Sequence, residues 1–486
     1  MGLLGIDAGT SVVKAVLFDD DWSVVRTAEV PVVVDRPHPG WAEQDPAVVV
    51  AAAFEVVRRA TTGPGPEVDV LAVTGQGDGC WLVDAAGHAV RPAMLWNDAR
   101  AADVVQRWDD DGLLERAFRR TGSYGFAGLA HAQLAWLAEH EPDTLGRAQT
   151  LLSCGSVLHA ALTGRRVLDV SEASNPFLAA DGSGYDEDLL GELGLSWARR
   201  LLPEVVAGPG RLGTLLPEVA QTLGLRAGTA AVLAPYDVVA TGVGLGALTP
   251  TSAMTVLGTT LAVGVASPDA ATNRAPSGSA LDLGTGDGFM LLYATLAGTE
   301  VLEWARRLLG LPDAAAVVRL AAGSVPGPGT PLVLPYLSPA GERTPFRDPL
   351  ARGAVLGLEL THTPADVARG VLEGLTLAVA DCIGASGAHP RRLVLSGGGS
   401  RSDAWCQLLA DACGLEVERG AGDQVGALGA AMVGAVGAGS YPDMAAVTAA
   451  AVHPGRVFTP AEAEVHRLAT AAQRYRAARE AGVHRA

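Results

Sequence analysis

Asp237 stands where an apolar run, residues 230–235, gives way to a small-residue stretch, residues 238–245. That pattern predicts a strand running into a helix, with a carboxylate at the helix N-terminus. A helix start favours the charged form, so the group reads as a weak base that is always available, or, more plainly, as a helix cap. Such a base suits phosphoryl transfer, where positioning and charge neutralisation supply most of the rate. Near the start of the chain, Gly9-Thr10-Ser11 separates two strand-like segments, residues 3–7 and 12–18. A hairpin tip of this composition can hold phosphate: glycine lets the backbone approach, backbone N–H groups face the anion, and the hydroxyls of Thr10 and Ser11 donate further. Asp7 precedes the tip and is placed to hold a Mg²⁺ through water. Lys14 follows it, within reach of a terminal phosphate if the strand turns it that way. An ordinary tight hairpin is the alternative reading of the same residues.

The arrangement recurs. Residues 252–257 are strand-like, Gly258-Thr259-Thr260 is a turn, and residues 261–266 are again strand-like. Two Gly-Thr tips suggest two related lobes with a nucleotide clamped between them. A third glycine site, Gly397-Gly398-Gly399, lies between a strand at 392–395 and a helix at 403–413, which suits an anion or a flat base against glycine backbone. Gln76, Gly77 and Asp78 sit in a glycine-rich loop after a buried strand, and Trp96 follows another apolar segment. Amide, carboxylate and indole together are the inventory of a carbohydrate pocket. No GxxxxGK[ST] run occurs, which argues against a P-loop.

The elements that must position these groups alternate between strand and helix in both halves, which indicates α/β lobes. Helical spacing covers residues 46–59, 98–108, 133–140, 155–162, 403–413 and 426–436, and short strands cover 30–34 and 70–74. A chain of 486 residues is too long for one core. The pattern places a boundary near residue 246, giving lobes of residues 1–246 and 247–486, with residues 326–329 as a surface loop in the second. At 49% apolar and 18% charged the composition is globular. With 53 acidic against 36 basic residues the net charge is -17, which disfavours nucleic acid or an anionic membrane as the main partner. No apolar run is long enough for a membrane span, and the opening residues read as a strand, not a signal peptide. The scattered cysteines, Cys80, Cys154, Cys382, Cys406 and Cys413, read as reduced thiols of a cytoplasmic protein. Among the 36 basic residues only Lys14 is lysine; either a coding bias toward arginine or a need for a compact ammonium at that position accounts for it.

Taken in order, the segments GIDAGTSVVKAVLFD (5–19), GWAEQDP (40–46), VTGQGDG (73–79), AMLWNDARA (93–101), APYDVVATGVG (234–244), TVLGTTLAV (255–263), GERTPFRDPLARGAVLGLELTHTPADVARGVLEGL (341–375) and LSGGGSRSDAWCQLLADACG (395–414) resemble those of the FGGY family of carbohydrate kinases. Three departures stand out: Gln133 where the family usually has Lys, Gly370 where it usually has Ala or Ser, and Gln76-Gly77-Asp78-Gly79 in place of the Gln-Met-His-Gly of typical D-xylulose kinases. The loop is more similar to the erythritol-kinase and L-xylulose-kinase branches, and glycerol kinases have an acid at the position of Asp78. The resemblance implies two ribonuclease-H-like (actin-like ATPase) lobes with a central cleft. It also implies ATP-dependent transfer to a primary hydroxyl of a small ketose such as xylulose, or of an erythritol- or glycerol-type polyol. Asp237 would be the base; Thr10, Ser11, Lys14, Gly258 and Thr259 would hold phosphates; Gly398, Gly399 and Ser402 would face the adenosine. Gln76, Gly77, Asp78 and Trp96 would bind the acceptor, and Mg²⁺ would sit near Asp7. Homodimers are usual in that family. An actin- or chaperone-like ATPase acting on protein partners would share the hairpins but would not need Asp237 beside a polyhydroxyl pocket.

Overall fold

β1 (Gly2–Ala8), β2 (Val12–Phe18) and β3 (Val24–Pro31) form an antiparallel meander. β1 is apolar on both faces, as a central strand must be. Leu4, Ile6 and Ala8 join the core under α1 (Pro46–Thr61), and Leu3 joins a second core on the opposite face. β4 (Val68–Gly75) lies parallel to β1, β6 (Ala230–Leu233) lies parallel to β4, and β5 (Leu212–Thr214) closes the edge antiparallel. The order of this six-stranded sheet is β5-β6-β4-β1-β2-β3. The computed structural model describes residues 1–249, 251–286, 288–420 and 422–485.

The second sheet uses β7 (Ser252–Leu257), β8 (Leu261–Ser267), β9 (Ser279–Asp282), β10 (Phe289–Ala294), β11 (Arg392–Ser396), β12 (Glu416–Arg419) and β13 (Val457–Phe458). Its seven strands run β9-β10-β8-β7-β11-β12-β13. β7 hairpins to β8, β8 pairs antiparallel with β10, and β7, β11 and β12 are parallel. The series β3-β2-β1-β4-β6 and β10-β8-β7-β11-β12 therefore have one topology, and the recurrence visible over a few residues of sequence is a recurrence of whole sheets. This is the two-lobed actin-like ATPase fold, with the first sheet drawn from residues up to 233 and the second from residues 252 onward.

The two halves interlock through helices. α2 (Asp237–Gly244) follows β6; α3 (Pro364–Ala385) and α4 (Asp403–Cys413) pack into the second core; α5 (Val425–Gly437) crosses back onto β1 and β4 of the first sheet and lies against α2. The crossing works because side chains are missing where backbones meet. A Cβ on Gly5 would lie 2.0 Å from the Ala427 carbonyl oxygen, one on Gly244 2.0 Å from that of Val425, and one on Gly429 1.8 Å from that of Ala240. Gly429→Ala is expected to force α2 and α5 apart, costing about 1–3 kcal/mol in denaturant unfolding and lowering turnover as well, since α2 begins at Asp237.

The strand expected at residues 30–34 overlaps β3 only at 30–31: β3 runs Val24–Pro31, and residues 32–34 are not strand. The Asp19 carboxylate accepts from the backbone N–H groups of Asp21 and Ser23 (3.1 and 2.9 Å), closing a tight turn directly after β2. The helix expected at 98–108 runs Ala102–Asp110 instead. The Asp98 carboxylate there takes the N–H groups of Ala42 and Arg100 and pairs with the Arg100 guanidinium, which holds the chain in a turn. All five cysteines are free, and four are buried. No helix of the described residues is long and apolar enough to cross a membrane.

Candidate active site

Parallel strands β1, β4 and β6 end at one cavity of about 370 Å³. The carboxyl ends of parallel strands in an α/β sheet are where ligands bind. β1 brings Asp7 and, through its turn, Thr10; the loop after β4 brings Gln76, Gly77 and Asp78; β6 and the start of α2 bring Tyr236 and Asp237. The second half supplies Thr260 from the β7–β8 tip, Ser279 from β9, and Arg343, Thr344 and Arg347 from a loop.

Asp237 is the first residue of α2. Burial, and next the charge of Asp7, push its carboxyl well above the ordinary range, with the Val238 backbone N–H acting in the opposite direction. The sign is the reverse of what a helix N-terminus alone predicts, because one backbone N–H is outweighed by desolvation and a second acid. Asp7 itself is pushed up to about 6 by burial, opposed by Lys14. Desolvation and a neighbouring acid thus raise the proton affinity of Asp237, the kind of perturbation that clusters at functional sites.

The opposite corner is a polar network. The Thr10 hydroxyl donates to Gln76 Oε1 (2.8 Å) and accepts from Trp96 Nε1 (3.0 Å), while Gln76 Nε2 donates to Gln44 Oε1 (2.6 Å). Gln44 in turn donates to the Thr10 carbonyl at 2.7 Å. Thr10 thus has its proton committed to Gln76 and ties the hairpin tip to Trp96 and Gln44. Asp78 adopts φ 57°, a left-handed conformation costing a non-glycine residue about 1 kcal/mol. Its Oδ1 accepts from Asn175 Nδ2 (2.8 Å) and its Oδ2 from the Tyr236 hydroxyl (3.0 Å). Burial lifts its carboxyl to about 6, opposed by those two bonds and by the Arg343 charge. Glu172, whose Oε2 accepts from the Asp78 backbone N–H at 3.2 Å, is held toward its protonated form by burial and by Asp78.

The remaining expected residues are placed less centrally. Lys14 lies opposite Asp7 across the hairpin and pairs with Glu29 at 3.1 Å, and Ser11 is exposed at the tip. Thr260 faces the cavity, whereas Thr259 is exposed. Gly397, Gly398 and Gly399 lie beside the β7 tip: a Cβ on Gly397 would be 2.7 Å from the Leu257 carbonyl oxygen, and one on Gly399 2.5 Å from the Trp405 ring, while Gly398 has open space before it. Ser402 caps α4, its side chain accepting from the Trp405 N–H at 3.3 Å.

Sequence reasoning passed over Arg343 and Arg347 of the second half and Tyr124 of the first. Arg343 packs over Phe126 (4.8 Å) and Trp96 (6.0 Å), and its Nε donates to the Ala294 carbonyl at 2.8 Å. Arg347 pairs with Asp109, which also accepts from the Tyr124 hydroxyl at 2.7 Å, and the Tyr124 N–H donates to the Gly278 carbonyl at 2.8 Å. These contacts roof the cavity with both halves. The segment GERTPFR was conspicuous in the sequence, but nothing in its spacing showed which of its side chains turn inward. Gln133 donates from Nε2 to the Leu95 carbonyl (2.9 Å), bracing the segment that carries Trp96. Gly370 is a close approach: a Cβ there would lie 2.5 Å from the Pro331 carbonyl oxygen.

Residues 2–244 match the N-terminal domain, and residues 253–438 the C-terminal domain, of the FGGY family of carbohydrate kinases. The xylulose kinase of Escherichia coli (strain K12) is 33% identical over 445 residues, covering 90% of both chains. The erythritol kinase of Brucella abortus (strain 2308) is 33% identical over 496 residues, covering 98% of this chain and 95% of that one. Among solved structures, the xylulose kinase from Rhodospirillum rubrum superposes with a TM-score of 0.89 at 28% identity, over 98% of each chain.

Proposed function

We propose, because this chain belongs to the FGGY family of carbohydrate kinases and is an ATP-dependent phosphotransferase acting on a small sugar or polyol, that its acceptor is a short ketose such as xylulose, phosphorylated on a primary hydroxyl with Asp237 as the base. One observation carries this reading. A carboxylate whose proton affinity is raised by burial shares one cavity with Gln76, Asp78 and Trp96, groups that suit hydroxyls and sugar C–H faces. Asp237 takes the hydroxyl proton as the oxygen bonds to the γ-phosphorus and the bond to the ADP oxygen breaks. Gln76 and Asp78 hold the acceptor's other hydroxyls, Trp96 packs on its carbon chain, and the Arg347–Asp109–Tyr124 contacts exclude water as a competing acceptor. In this reading the lobe of residues 1–246 holds the acceptor and that of 247–486 the nucleotide, with Thr10, Ser11, Lys14, Gly258 and Thr259 near the phosphates and Gly398, Gly399 and Ser402 toward the adenosine.

Asp7 fits a Mg²⁺. Among the described residues its carboxylate accepts no hydrogen bond, and no cluster of three or more His, Cys, Asp or Glu side chains could form an all-protein cage. Mg²⁺ is held by one or two carboxylates together with substrate phosphates and water. When bound it would neutralise charge on the phosphates.

An erythritol-type polyol is the second reading, favoured by the Gly77-Asp78 pair in the loop and by the erythritol kinase among the relatives. Coupled ADP release with ketopentoses, tetritols and glycerol separates the two. ATP hydrolysis that no sugar or polyol stimulates would overturn both. Asp78→Ala is expected to raise KM for the acceptor about 10–100-fold and leave KM for ATP within about twofold; a change confined to ATP would misplace the acceptor corner.

A further inference from the structure

Tyr236 belongs to none of the proton-transfer chemistry above, yet it is anchored at three points beside Asp237. Its backbone N–H donates to Ser171 Oγ at 2.9 Å. Its ring lies against the loop backbone, so that a Cβ on Gly77 would come 2.0 Å from Cε2 and 2.2 Å from Cζ. Its hydroxyl donates to Asp78 Oδ2 at 3.0 Å. The first anchor is itself braced: Ser171 Oγ donates to Asp169 Oδ1 at 2.6 Å, and Asp169 is paired with the buried Arg211.

We infer that Tyr236 is a specificity-determining wall of the acceptor site, a fixed ring that limits how long an acceptor the cavity takes. The inference rests on the acceptor reading proposed above and adds what limits the acceptor's length. A flexible side chain would yield to a longer ligand by changing rotamer. This one cannot turn toward the loop, because the Gly77 backbone is already in contact. It cannot turn away without leaving the buried Asp78 carboxylate short of a donor, which is costly for a buried charged group. Burial and the facing acids also hold the phenol well above its ordinary pKa, so it remains a donor across the working pH range. Trp96 and Phe126 are likewise braced by the Arg343 guanidinium over their faces. On this side the cavity is therefore bounded by braced rings, not by side chains free to move aside. Gly77 and Tyr236 are one device: the glycine exists to let the ring in.

The test compares full-length wild type, Tyr236→Phe and Tyr236→Gly on erythritol, D- and L-xylulose, and the six-carbon polyols mannitol and sorbitol. It measures kcat and KM by ADP release, acceptor binding by calorimetry, and folding by thermal unfolding. Tyr236→Gly is expected to raise the ratio of six- to five-carbon kcat/KM by about tenfold or more. Tyr236→Phe keeps the ring, so the ratio stays within about twofold while KM for every acceptor rises about 3–10-fold. A folded Tyr236→Gly enzyme with the wild-type ratio overturns the inference. So does a Tyr236→Phe enzyme whose ratio moves as far as that of the glycine variant. Should the glycine variant not fold, Gly77→Ala probes the same wall from behind by driving the ring into the cavity. It is expected to lower five-carbon relative to four-carbon kcat/KM by about tenfold, and an unchanged ratio again overturns the inference. If wild type phosphorylates none of these acceptors, the acceptor reading proposed above fails, and the calorimetric ranking by chain length still decides the role of Tyr236.

Discussion

Asp237→Asn is expected to lower kcat by about 10²–10⁴-fold, the range a positioned general base supplies, with ATP affinity unchanged within about twofold. Asparagine has nearly the shape of aspartate, so α2, its packing on α5 and the cavity wall persist. What disappears is the oxygen that accepts the proton. The expected loss is large because the native carboxyl binds a proton more readily than a solvent-exposed Asp: burial and Asp7 both act in that direction. Steady-state ADP release and calorimetric titration with a nonhydrolysable ATP analogue measure the two quantities. Turnover within about tenfold of wild type would remove Asp237 from the role of base.

Asp7→Asn is expected to have two large effects of opposite sign. Phosphoryl transfer should fall by about 10²-fold or more, with a raised Mg²⁺ requirement. Stability of the ligand-free protein should rise. The Asp7 carboxyl is lifted from 3.8 to about 6, chiefly by burial. A carboxyl whose folded pKa is raised contributes its stability fully below the unfolded pKa and loses it as pH rises through the folded one. At neutral pH the native protein therefore carries a cost. Two pKa units correspond to about 3 kcal/mol at most, and access of the side chain to the cavity reduces this to about 1–2 kcal/mol. The variant should melt a few degrees higher than wild type at pH 7.5, and the difference should shrink toward zero as pH falls to about 4. A variant less stable than wild type at neutral pH would show that Asp7 is satisfied by the protein itself, leaving no reason to assign it a cation.

Much of this site was legible in the chain because local pattern and local position coincide there. Strand alternation around Gly9-Thr10-Ser11 and Gly258-Thr259-Thr260 requires hairpins, and a hairpin tip can only lie at a sheet end. Asp237, Gln76 and Asp78 each follow an apolar strand directly, so each had to emerge at a strand's carboxyl end. Arg343 and Tyr124 were not legible, since neither sits at such a landmark. Their relevance comes from contacts with Trp96, Asp109 and Gly278 across large separations in sequence. Thr10 illustrates a residue whose place in the tip was legible but whose hydrogen-bond partners were not. Only the arrival of Trp96 and Gln76 at the same oxygen commits its proton.

Sequence alone determined that the chain makes two similar α/β lobes, with a Gly-Thr hairpin tip in each and an acid at the start of a helix between them. Apolar periodicity and glycine placement are local properties, and they are enough to specify strands, helices and turns. Tertiary structure decided the electrostatics and the shape. It brought Asp7 and Asp237 together out of water and so reversed the sign of the pKa shift expected at a helix start. It set the Tyr236 ring on Gly77, and it roofed the cavity with residues from the second half. Proton affinity and cavity size depend on burial and on neighbours distant along the chain, and those exist only once the two sheets have closed on each other.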